Sequence, residues 1–566
     1  MKKYIVIVGG VMSGVGKGVA TASIARIIQE YGYKTTAIKI DPYLNYDAGT
    51  LRPTEHGEVW VTFDGGEIDQ DLGHYERFLG INIPKRNNIT SGQIYKTVID
   101  RERRGEYLGQ TVQFIPHIPE EIKRRIEEAS EGYEVILIEV GGTVGDYENI
   151  PFLFALKGIE REIGKENVLY ILITYLPVPR HIGEMKTKPT QQAIKMLQEM
   201  GIIPDIILCR GPTPLDDVRR HKIELYANIK REYVISAPDV DTLYEIPLNF
   251  EREQLGHKIL DKLQIAPRKL PDWNEWEHLV DNLKHPEAEI HIAMVGKYIE
   301  IGTFKLKDAY ISINEALEHS GAHQKVKVNI DWLDADKLNV EELQNYDGVI
   351  IPGGFGIRGF EGKLRAIKYV RENGIPFLGL CWGMQIAVVE YARHVLGWEE
   401  ANSTEVDQST RYPVVDFIPK QRELLHEKGY GGTMRLGAYA AYLKPGTLIY
   451  SLYKELGRID HDMRLPLPME RLGKPLNLPY VVERHRHRYE INPMFIKDLE
   501  RAGIVFSGVH ETMDGISLME FMELPDHPFF VATQAHPEFH SRFMEPSPVF
   551  MGFVRKALER RLHRTS

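Results

Sequence analysis

The sequence predicts an α/β protein built from two doubly wound domains, and three observations support this. Short apolar, β-branched runs recur along the chain, and amphipathic stretches of helical length separate them. A segment rich in proline, charge and tryptophan interrupts this pattern near the middle. Because strands of a parallel sheet are buried on both faces, they need continuous apolar runs, and the intervening helices cover those faces.

In the first half, six apolar runs predict buried parallel strands. The helical material between them has an apolar stripe, as at Ile24, Ile27, Ile28 and Tyr31. The predicted strands are Tyr4–Val8, Thr36–Ile40, Val135–Val140, Val168–Thr174, Ile206–Leu208 and Tyr233–Ser236.

In the second half, the strand pattern begins again at His291 and continues to the last fifty residues. The stretch 399–478 has weak periodicity and predicts no element. The further strands predicted are Val326–Ile330, Val349–Ile351, Pro376–Leu380, Ile504–Ser507 and Phe529–Thr533. We therefore expect a first domain over 1–266, a linker over 267–290 with one short helix, and a second domain over 291–566.

Composition excludes several classes of protein. The 566 residues carry 70 Lys and Arg against 80 Asp and Glu, a net charge of −10, which argues against a protein that coats nucleic acid. No apolar run approaches the roughly 18 residues of a membrane span, and Tyr4–Val8 is too short for a signal peptide. With only Cys209 and Cys381, a disulfide framework is excluded and a reducing, cytoplasmic location is expected.

The first predicted strand leads into a glycine-rich loop, GGVMSGVGKG, and then into a helix. Glycines let the backbone curl around an anion, and the helix N-terminus adds positive potential. The strict P-loop pattern is not met, because Val11 replaces its first glycine and Gly18 follows Lys17. An incidental lysine in a glycine turn is the alternative, but strand, glycines, lysine and helix together favour phosphate binding.

Two acids are candidate Mg²⁺ ligands for a nucleoside triphosphate. Asp71 lies in an acidic segment, and Glu139 closes the apolar strand VILIEV. Lys39 ends another strand, where it can bridge the phosphates of two substrates. The segment KTKPTQ, Lys186 to Gln191, can hold a second triphosphate. Taken alone, Lys39 and this segment are each more often surface features than binding sites.

The second half contains Gly379-Leu380-Cys381-Trp382-Gly383, a G-x-C-x-G sequence at a strand end. This is the form of a nucleophile elbow. His536 and Glu538, two residues apart, provide a base and a group to orient it. The backbone N–H groups of Gly353, Gly354 and Trp382 are candidate oxyanion donors. An inert buried cysteine is the alternative; the combination predicts acyl transfer through a thioester.

The sequence RHRHR, Arg484 to Arg488, is short and flanked by acids. These features favour a solvated face or a carboxylate clamp over nucleic-acid binding.

Together these motifs resemble the CTP synthase family. The motifs occur in the family's order, over nearly the whole chain: GGVMSGVGKG, KIDPYLN, HGEV, DLGHYERF, RRGEYLGQTVQ, EVGGTVGD, KTKPTQ, GGFGIRG, GLCWGMQ, ANSTE, GGTMRLG, ERHRHRYE and HPEF. The second half alone is similar to class I glutamine amidotransferases.

The resemblance implies a P-loop-type, Rossmann-like amidoligase domain and a flavodoxin-like glutamine amidotransferase domain. ATP would phosphorylate O4 of UTP, and ammonia from glutamine would displace that phosphate to give CTP. GTP would activate glutamine hydrolysis, CTP would inhibit, and the chain would form a homotetramer. No nucleic-acid or membrane partner is implied.

Position by position, the resemblance implies the following sites. The ATP site matches Gly14, Val15, Gly16, Lys17, Gly18, Val19, Asp71, Pro238, Asp239 and Val240. The UTP and CTP site matches Ser13, Asp146, Tyr147, Glu148, Lys186, Thr187, Lys188, Pro189, Thr190, Gln191 and Lys222. Asp71 and Glu139 match the Mg²⁺ ligands, and Lys39 a phosphate-bridging lysine. The triad matches Cys381, His536 and Glu538, and the glutamine pocket matches Gly354, Trp382, Gly383, Met384, Gln385, Glu405 and Arg488.

The chain departs from the family at Gly14, where serine is usual, and at Trp382, where leucine is usual. Two other functions stay open at this point. One is a glutamine-dependent amidoligase acting on corrinoid carboxylates, and the other is a nucleotide-switched scaffold with an inactive amidotransferase domain. The intact Cys381, His536 and Glu538 argue against the scaffold.

Overall fold

The computed structural model describes residues 2–10, 12, 14–51, 57–296, 300–301, 304–305, 307–417 and 434–565. They divide into two compact units. The first contains Met1–Ala48 and Ile68–Val280, and the second contains Gly49–Glu67 and Asp281–Ser566. Residues 49–67 therefore belong to the second unit, although they come early in the chain.

The first unit is built on a seven-stranded parallel sheet. Its strands are β1 (Lys3–Gly9), β2 (Thr35–Asp41), β3 (Asn88–Thr90), β4 (Val135–Val140), β5 (Val168–Tyr175), β6 (Ile206–Gly211) and β7 (Val234–Pro238). They lie in the order β3-β2-β4-β1-β5-β6-β7. All six predicted strands are confirmed, whereas β3 has only three residues and no pattern of its own. Strands β2, β3 and β4 lie on one side of β1 in the sheet, and β5, β6 and β7 lie on the other. This change of direction opens a crevice at the carboxyl end of β1.

Helices cover both faces of this sheet. In the first of them the predicted stripe is confirmed, since Ile24, Ile27 and Ile28 are fully buried. The helices of this unit are Lys17–Glu30, Asp71–Leu79, Ser91–Arg103, Phe114–Ala129, Ile150–Ile163, Lys188–Glu199, Asp217–Ala227, Ile246–Arg252 and Leu255–Lys262, with 3₁₀ turns at Lys85–Asn87, Tyr147–Asn149, Lys165–Asn167, Arg231–Tyr233 and Leu243–Glu245. The helix Asn274–Lys284 follows, within the predicted linker.

The second unit is built on a nine-stranded mixed sheet. Its strands are β8 (Ala288–Gly296), β9 (Val326–Asp334), β10 (Gly348–Ile351), β11 (Phe377–Leu380), β12 (Arg435–Leu443), β13 (Tyr480–His487), β14 (Val505–Glu511), β15 (Ser517–Glu523) and β16 (Phe530–Thr533). The order is β9-β8-β10-β11-β16-β15-β14-β12-β13. The first five are parallel, and the last four extend the sheet antiparallel. The predicted strands are confirmed, while β12, β13 and β15 were not predicted.

The remaining elements of the second unit are short strands and covering helices. The helices are Ile311–Gln324, Phe360–Glu372, Trp382–His394, Leu448–Glu455, Arg458–Asp462, Met469–Leu472, Ile496–Arg501 and Pro548–Thr565, with 3₁₀ turns at Lys307–Tyr310, Val340–Asn345, Pro493–Phe495 and Pro537–His540. Short strands elsewhere are Trp60–Val61, Glu67–Ile68, Glu300–Ile301, Phe304–Lys305, Ala401–Ser403, Tyr412–Phe417 and Tyr489–Ile491. Across the described ranges, no helix has the length and apolar character needed to cross a membrane.

Candidate active sites

The glycine loop of the first unit joins β1 to the helix Lys17–Glu30. Gly14 and Gly16 have φ angles of 73° and 79°, a left-handed conformation that favours glycine. Lys17 is the first residue of the helix and is 9% exposed. Its Nζ donates to the carbonyl oxygen of Gly142 at 2.7 Å. The loop therefore places a buried cation and a helix N-terminus at the carboxyl end of β1, as an anion site requires.

Lys39, on β2, lies at the centre of a buried charge cluster. It is beside Glu139 in the sheet register, and its Nζ is 2.7 Å from Glu139 Oε1. The same Nζ forms an ion pair with Asp71, the first residue of the helix Asp71–Leu79. Burial opposes the positive charge, but Asp71 and Glu139 outweigh it and raise the pKa of Lys39 well above its usual value. The structure thus brings together Lys39, Asp71 and Glu139.

Three residues that sequence reasoning missed complete this cluster. Asp41 Oδ1 lies 4.0 Å from Lys39 Nζ, and Tyr75 donates its hydroxyl hydrogen to Glu139. Asp69 Oδ1 accepts from the backbone N–H of Asp71 at 2.9 Å. Asp41 could have been predicted from the sequence, since it comes two residues after Lys39, directly after the predicted strand Thr36–Ile40, and in the structure it is the last residue of β2.

The donor set suits Mg²⁺ in combination with a nucleotide. Mg²⁺ is commonly held by one or two carboxylates together with water and substrate phosphates. Asp71 and Glu139 supply two carboxylates, and both form ion pairs with Lys39. Within the described part of the chain, no group of three or more His, Cys, Asp and Glu side chains is placed to hold a metal by itself.

A cavity of about 400 Å³ adjoins the glycine loop, between Gly16 and Val19 on one side and Pro238 to Val240 on the other. Arg210 also lines it and was not predicted. Its guanidinium contacts Asp239 Oδ1 at 2.6 Å and donates to the carbonyl of Val15 at 3.2 Å. The structure therefore brings the loop and the 238–240 segment together around one cavity of a size suited to a nucleobase.

The residues expected to hold a second nucleotide lie nearby in the same unit. Thr190 Oγ1 is 3.0 Å from Thr174 Oγ1. Gly10, in the glycine loop, approaches Thr174 so closely that a Cβ there would lie 3.1 Å from Thr174 Oγ1. Thr187, Lys188 and Pro189 form the start of the helix Lys188–Glu199, and Gln191 donates to Thr187 Oγ1 at 3.2 Å. Lys186 forms an ion pair with Glu184 at 2.9 Å.

Other predicted contacts of this nucleotide are more scattered. Asp146 accepts two hydrogen bonds from Thr143, while Tyr147 and Glu148 are exposed. Lys222 is exposed on the helix Asp217–Ala227. Ser13 lies outside the described residues.

In the second unit, Cys381 lies in a sharp turn between β11 and the helix Trp382–His394. Its φ and ψ angles are 51° and −100°, a strained conformation for a residue other than glycine. Its N–H donates to the carbonyl of Thr533 at 2.7 Å, which fixes the turn. A Cβ at Gly383 would overlap the carbonyl oxygen of Ile351, and one at Gly379 would lie 3.0 Å from Gly383. These glycines allow the close packing of a nucleophile elbow.

His536 and Glu538 follow β16 and lie beside Cys381. His536 Nδ1 is 2.7 Å from Glu538 Oε1. Burial opposes a charge on the imidazole, but Glu538 and the Cys381 sulfur outweigh it and raise the pKa of His536 to about 10. The structure therefore brings Cys381, His536 and Glu538 together in the arrangement of a nucleophile, a base and an orienting acid.

A cavity of about 330 Å³ opens onto this triad. Gly353, Gly354 and Phe355 line it at the end of β10, together with Arg488. A Cβ at Gly353 would lie 2.9 Å from His536 Cε1, so the close approach requires glycine. Residues of the early segment also line the cavity, namely Gly49, Leu51, Glu58 and Val59.

The predicted glutamine-binding residues surround Cys381 in different ways. Trp382, 2% exposed, packs its ring against Phe360, with centroids 5.9 Å apart, so its side chain lies in the core. Met384 is fully buried there too. Gln385 donates to the carbonyl of Tyr489 at 2.8 Å. Glu405 accepts from the N–H of Gly356 at 2.7 Å and so holds the loop that carries Gly354.

Of the two alternatives favoured for the RHRHR sequence, a solvated face or a carboxylate clamp, the solvated face is wrong. Arg484 and His485 are fully buried, because β13 and the turn after it are enclosed within the second unit. The carboxylate contact exists instead at Arg486, whose Nε lies 2.8 Å from Glu67 Oε1.

Comparisons with known proteins match both halves of the chain. The family model described as CTP synthase N-terminus matches residues 3–265, and the model described as glutamine amidotransferase class-I matches residues 305–556. CTP synthases of Pyrococcus furiosus and Methanocaldococcus jannaschii are 51% and 50% identical to the chain, over 562 and 566 residues. The alignments cover 99% and 98% of this chain, and 98% of each relative.

A solved glutaminase domain of Trypanosoma brucei CTPS with bound acivicin is also similar, with 33% identity and a TM-score of 0.40 over 48% of this chain and 94% of that one. The two family models and about 50% identity over the full length lead to one conclusion. The chain belongs to the CTP synthase family, enzymes with an amidoligase domain and a class I glutamine amidotransferase domain.

Proposed function

We propose that the two sites described above carry out the two half-reactions by which this chain forms CTP from UTP, ATP and glutamine. The first unit phosphorylates O4 of UTP with ATP and replaces the phosphate with ammonia. The second unit releases that ammonia from glutamine. Phosphorylation is needed because O4 of a uracil ring is a poor leaving group, whereas phosphate is a good one.

In the first unit, the buried lysines neutralise phosphate. The backbone from Gly14 to Val19 and the Nζ of Lys17 surround the ATP phosphates, and the 238–240 segment holds the adenine. Lys39 lies between the ATP and UTP sites, where it offsets charge on the transferred phosphoryl group. Mg²⁺, held by Asp71 and Glu139, would supply charge neutralisation of the phosphates. Lys186 to Gln191 and Lys222 hold the UTP phosphates.

In the second unit, the chemistry is acyl transfer through Cys381. His536 carries a proton next to the sulfur, and Glu538 holds the imidazole in position. The sulfur attacks the side-chain amide carbon of glutamine, the C–N bond breaks, and ammonia leaves with a proton from His536. Water then hydrolyses the thioester to glutamate. The N–H groups of Gly354 and Trp382 stabilise the oxyanion, and Arg488 and Glu405 orient glutamine.

Regulation and assembly belong to the same proposal. GTP activates glutamine hydrolysis, and CTP inhibits at a site that overlaps the UTP site and includes Asp146 to Glu148. The enzyme is a homotetramer that works in the cytoplasm. Two free cysteines, Cys209 and Cys381, are consistent with that reducing compartment.

The observation that carries the proposal is the junction of Lys39 with Asp71 and Glu139 beside the glycine loop. The test is CTP absorbance on mixing the protein with UTP, ATP and Mg²⁺, with glutamine or ammonium as nitrogen source. CTP from both sources is expected. CTP from ammonium alone would leave the first half-reaction standing and require GTP in the assay. No CTP from either source, with phosphate release on carboxylate acceptors, would replace UTP with a carboxylate substrate.

A further inference from the structure

Gln534 is a buried polar residue that the proposed mechanism does not use. It follows β16 directly and lies two residues before His536. It is fully buried, and its N–H donates to the carbonyl of Glu520 at 2.9 Å. A buried amide side chain is costly unless its polar atoms have partners, so the partners show what it does.

The side-chain amide of Gln534 lies between Gln385 and the Cys381 sulfur. Its Oε1 accepts from Gln385 Nε2 at 3.0 Å. Its Nε2 lies 3.7 Å from Cys381 Sγ, within hydrogen-bonding distance of sulfur. Gln385 is itself 2% exposed, so the chain of amides is sealed from solvent.

The direction of these hydrogen bonds follows from a backbone carbonyl. The oxygen of Tyr489 can only accept, so the Gln385 atom that faces it at 2.8 Å must be the NH₂ group. The second hydrogen of that NH₂ group is directed at Gln534, whose oxygen must then face Gln385. The NH₂ group of Gln534 is left facing the sulfur, and the assignment does not depend on locating a hydrogen.

Three polar groups therefore surround the sulfur, and they respond differently to its charge. The carbonyl of Arg486, 3.8 Å away, accepts from the S–H of a thiol but repels a thiolate. His536 and the Gln534 amide instead favour the thiolate, since a hydrogen bond to a charged acceptor is stronger than one to a neutral acceptor. Once the sulfur is acylated it is neutral again, and this advantage is lost.

We propose that Gln534 is a further catalytic residue of the glutaminase site, which donates a hydrogen bond to the Cys381 thiolate and so maintains the attacking form of the nucleophile. Gln385 acts through Gln534 as a positioning residue that fixes the direction of its amide. This inference rests on the proposed role of Cys381 as nucleophile.

The test uses the full-length protein and the variant Gln534→Met, which keeps the side-chain length and removes the donor. The rate of alkylation of Cys381 by iodoacetamide at pH 7 is measured by peptide mass spectrometry, alongside kcat and KM for glutamine and the rate with ammonium. The variant loses a hydrogen bond to a charged group, so the population of thiolate falls. A more basic thiolate is also a better nucleophile, and this offsets about half of the effect on the alkylation rate. We expect alkylation to slow about 4- to 15-fold. The kcat for glutamine falls at least as much, while KM and the ammonium rate stay within about threefold.

Gln324→Met is the matched control. The Gln324 amide is in the same unit and donates to the carbonyls of Ser320 and Met551, away from the sulfur. It should leave alkylation within twofold of wild type. Gln534→Glu, which keeps the shape of the side chain, decides the matter if Gln534→Met loses the ammonium rate; it too should slow alkylation.

Two results have separate meanings. If alkylation and kcat in the folded Gln534 variants stay within twofold of wild type, the inference about Gln534 is overturned. If wild-type Cys381 reacts no faster than Cys209, whose pKa burial raises to about 12, the proposed nucleophile itself is overturned.

Discussion

At the scale of single residues, His536 shows how its surroundings determine a charge. A fully buried imidazole is normally neutral, because desolvation penalises its cation. Here Glu538 at 2.7 Å and the Cys381 sulfur reverse that preference and raise the pKa of His536 to about 10. The imidazole therefore holds, over the neutral pH range, the proton that the departing ammonia needs.

A pH dependence of stability follows. The folded pKa of His536 lies above its unfolded value, so its contribution to stability is complete below about pH 6.5 and is lost as the pH rises through about 10. The thermal midpoint of wild type should exceed that of His536→Gln by more at pH 6.5 than at pH 10. His285→Gln, at a histidine 73% exposed just after the helix Asn274–Lys284, should differ little from wild type at either pH. An advantage for wild type that grows with pH would contradict the prediction.

Lys39 gives a second prediction at this scale. Lys39→Met leaves Asp71, Glu139 and Asp41 without their shared cation in a buried site. Removing one partner of a buried ion pair costs about 3–5 kcal/mol. We expect a lower thermal midpoint, and we expect Mg²⁺ to raise it more in the variant than in wild type, because the freed carboxylates bind the metal. Differential scanning fluorimetry with and without Mg²⁺ measures both effects.

Lys96→Met is the control for that experiment. Lys96 pairs with Asp100 at 2.5 Å on an exposed helix face, where such a pair contributes at most about 0.5 kcal/mol. Equal losses in the two variants would show that the Lys39 cluster is not a buried charge site.

Residue types at strand ends were predictable, whereas their partners were not. Lys39 and Glu139 are recognisable because a charge that closes an apolar run needs a reason to be buried. Asp69 has no such signal, since it lies among polar residues in the sequence. Arg210 closes the apolar run Ile206–Cys209, so the same rule could have found it. Gln534 lies within a recognised motif, but only the fold reveals that its amide faces sulfur.

At the scale of elements, the start of the helix that begins at Lys17 requires glycine at two positions, for two different reasons. Gly16 adopts a φ of 79°, a backbone requirement. Gly18 has ordinary helical geometry, but a Cβ there would overlap Asp71 Oδ1. The helix can therefore approach the helix Asp71–Leu79 only because Gly18 has no side chain.

Gly18→Ala should lower CTP formation from both nitrogen sources, although alanine favours a helix by about 1 kcal/mol over glycine. The added methyl displaces Asp71 from Lys39, so the loss should appear as a raised KM for ATP and a reduced kcat, with glutamine hydrolysis unchanged. Steady-state rates with ammonium measure it directly.

Gly158→Ala is the matched helix control. A Cβ at Gly158 would lie 3.5 Å from Lys123 Cδ, an ordinary contact, and so it should leave the activity unchanged and raise the thermal midpoint slightly. Full activity in Gly18→Ala would mean that Asp71 is not held where the chemistry occurs.

Most parallel strands were predictable from the sequence, whereas three of the four antiparallel ones, β12, β13 and β15, were not. The runs at β1, β4 and β5 are apolar on both faces, which is the signature of a covered parallel sheet. From Glu483 to His487 every residue of β13 is polar, so this part of the strand offers no apolar periodicity. It is buried all the same, because side chains packed against it pair with several of these groups. Tyr453, on the helix Leu448–Glu455, donates to Glu483 at 2.6 Å, and His540 Nδ1 lies 2.8 Å from Glu483 Oε2.

At the scale of the whole molecule, the chain path does not follow the order of the two units. Residues 49–67 lie early in the chain, yet they belong to the second unit and line its cysteine cavity through Glu58 and Val59. Local pattern cannot reveal this, because it records which segments form strands and helices rather than which unit a loop joins. The domain limits predicted from composition assume that each domain is one continuous stretch of chain, and residues 49–67 do not follow that division.

The division into two sites predicts a separation of activities. Cys381→Ala removes the only group proposed to attack glutamine, so CTP formation from glutamine should fall at least about 1,000-fold. Formation from ammonium should stay within twofold of wild type, because the residues around Lys17 and Lys39 belong to the other unit. Cys209→Ala, at a buried thiol of the first unit, should spare both nitrogen sources apart from a modest cost in stability. Loss of both activities in Cys381→Ala would mean that ammonium reaches UTP only through an intact glutaminase site, and the two half-reactions would then be one inseparable process.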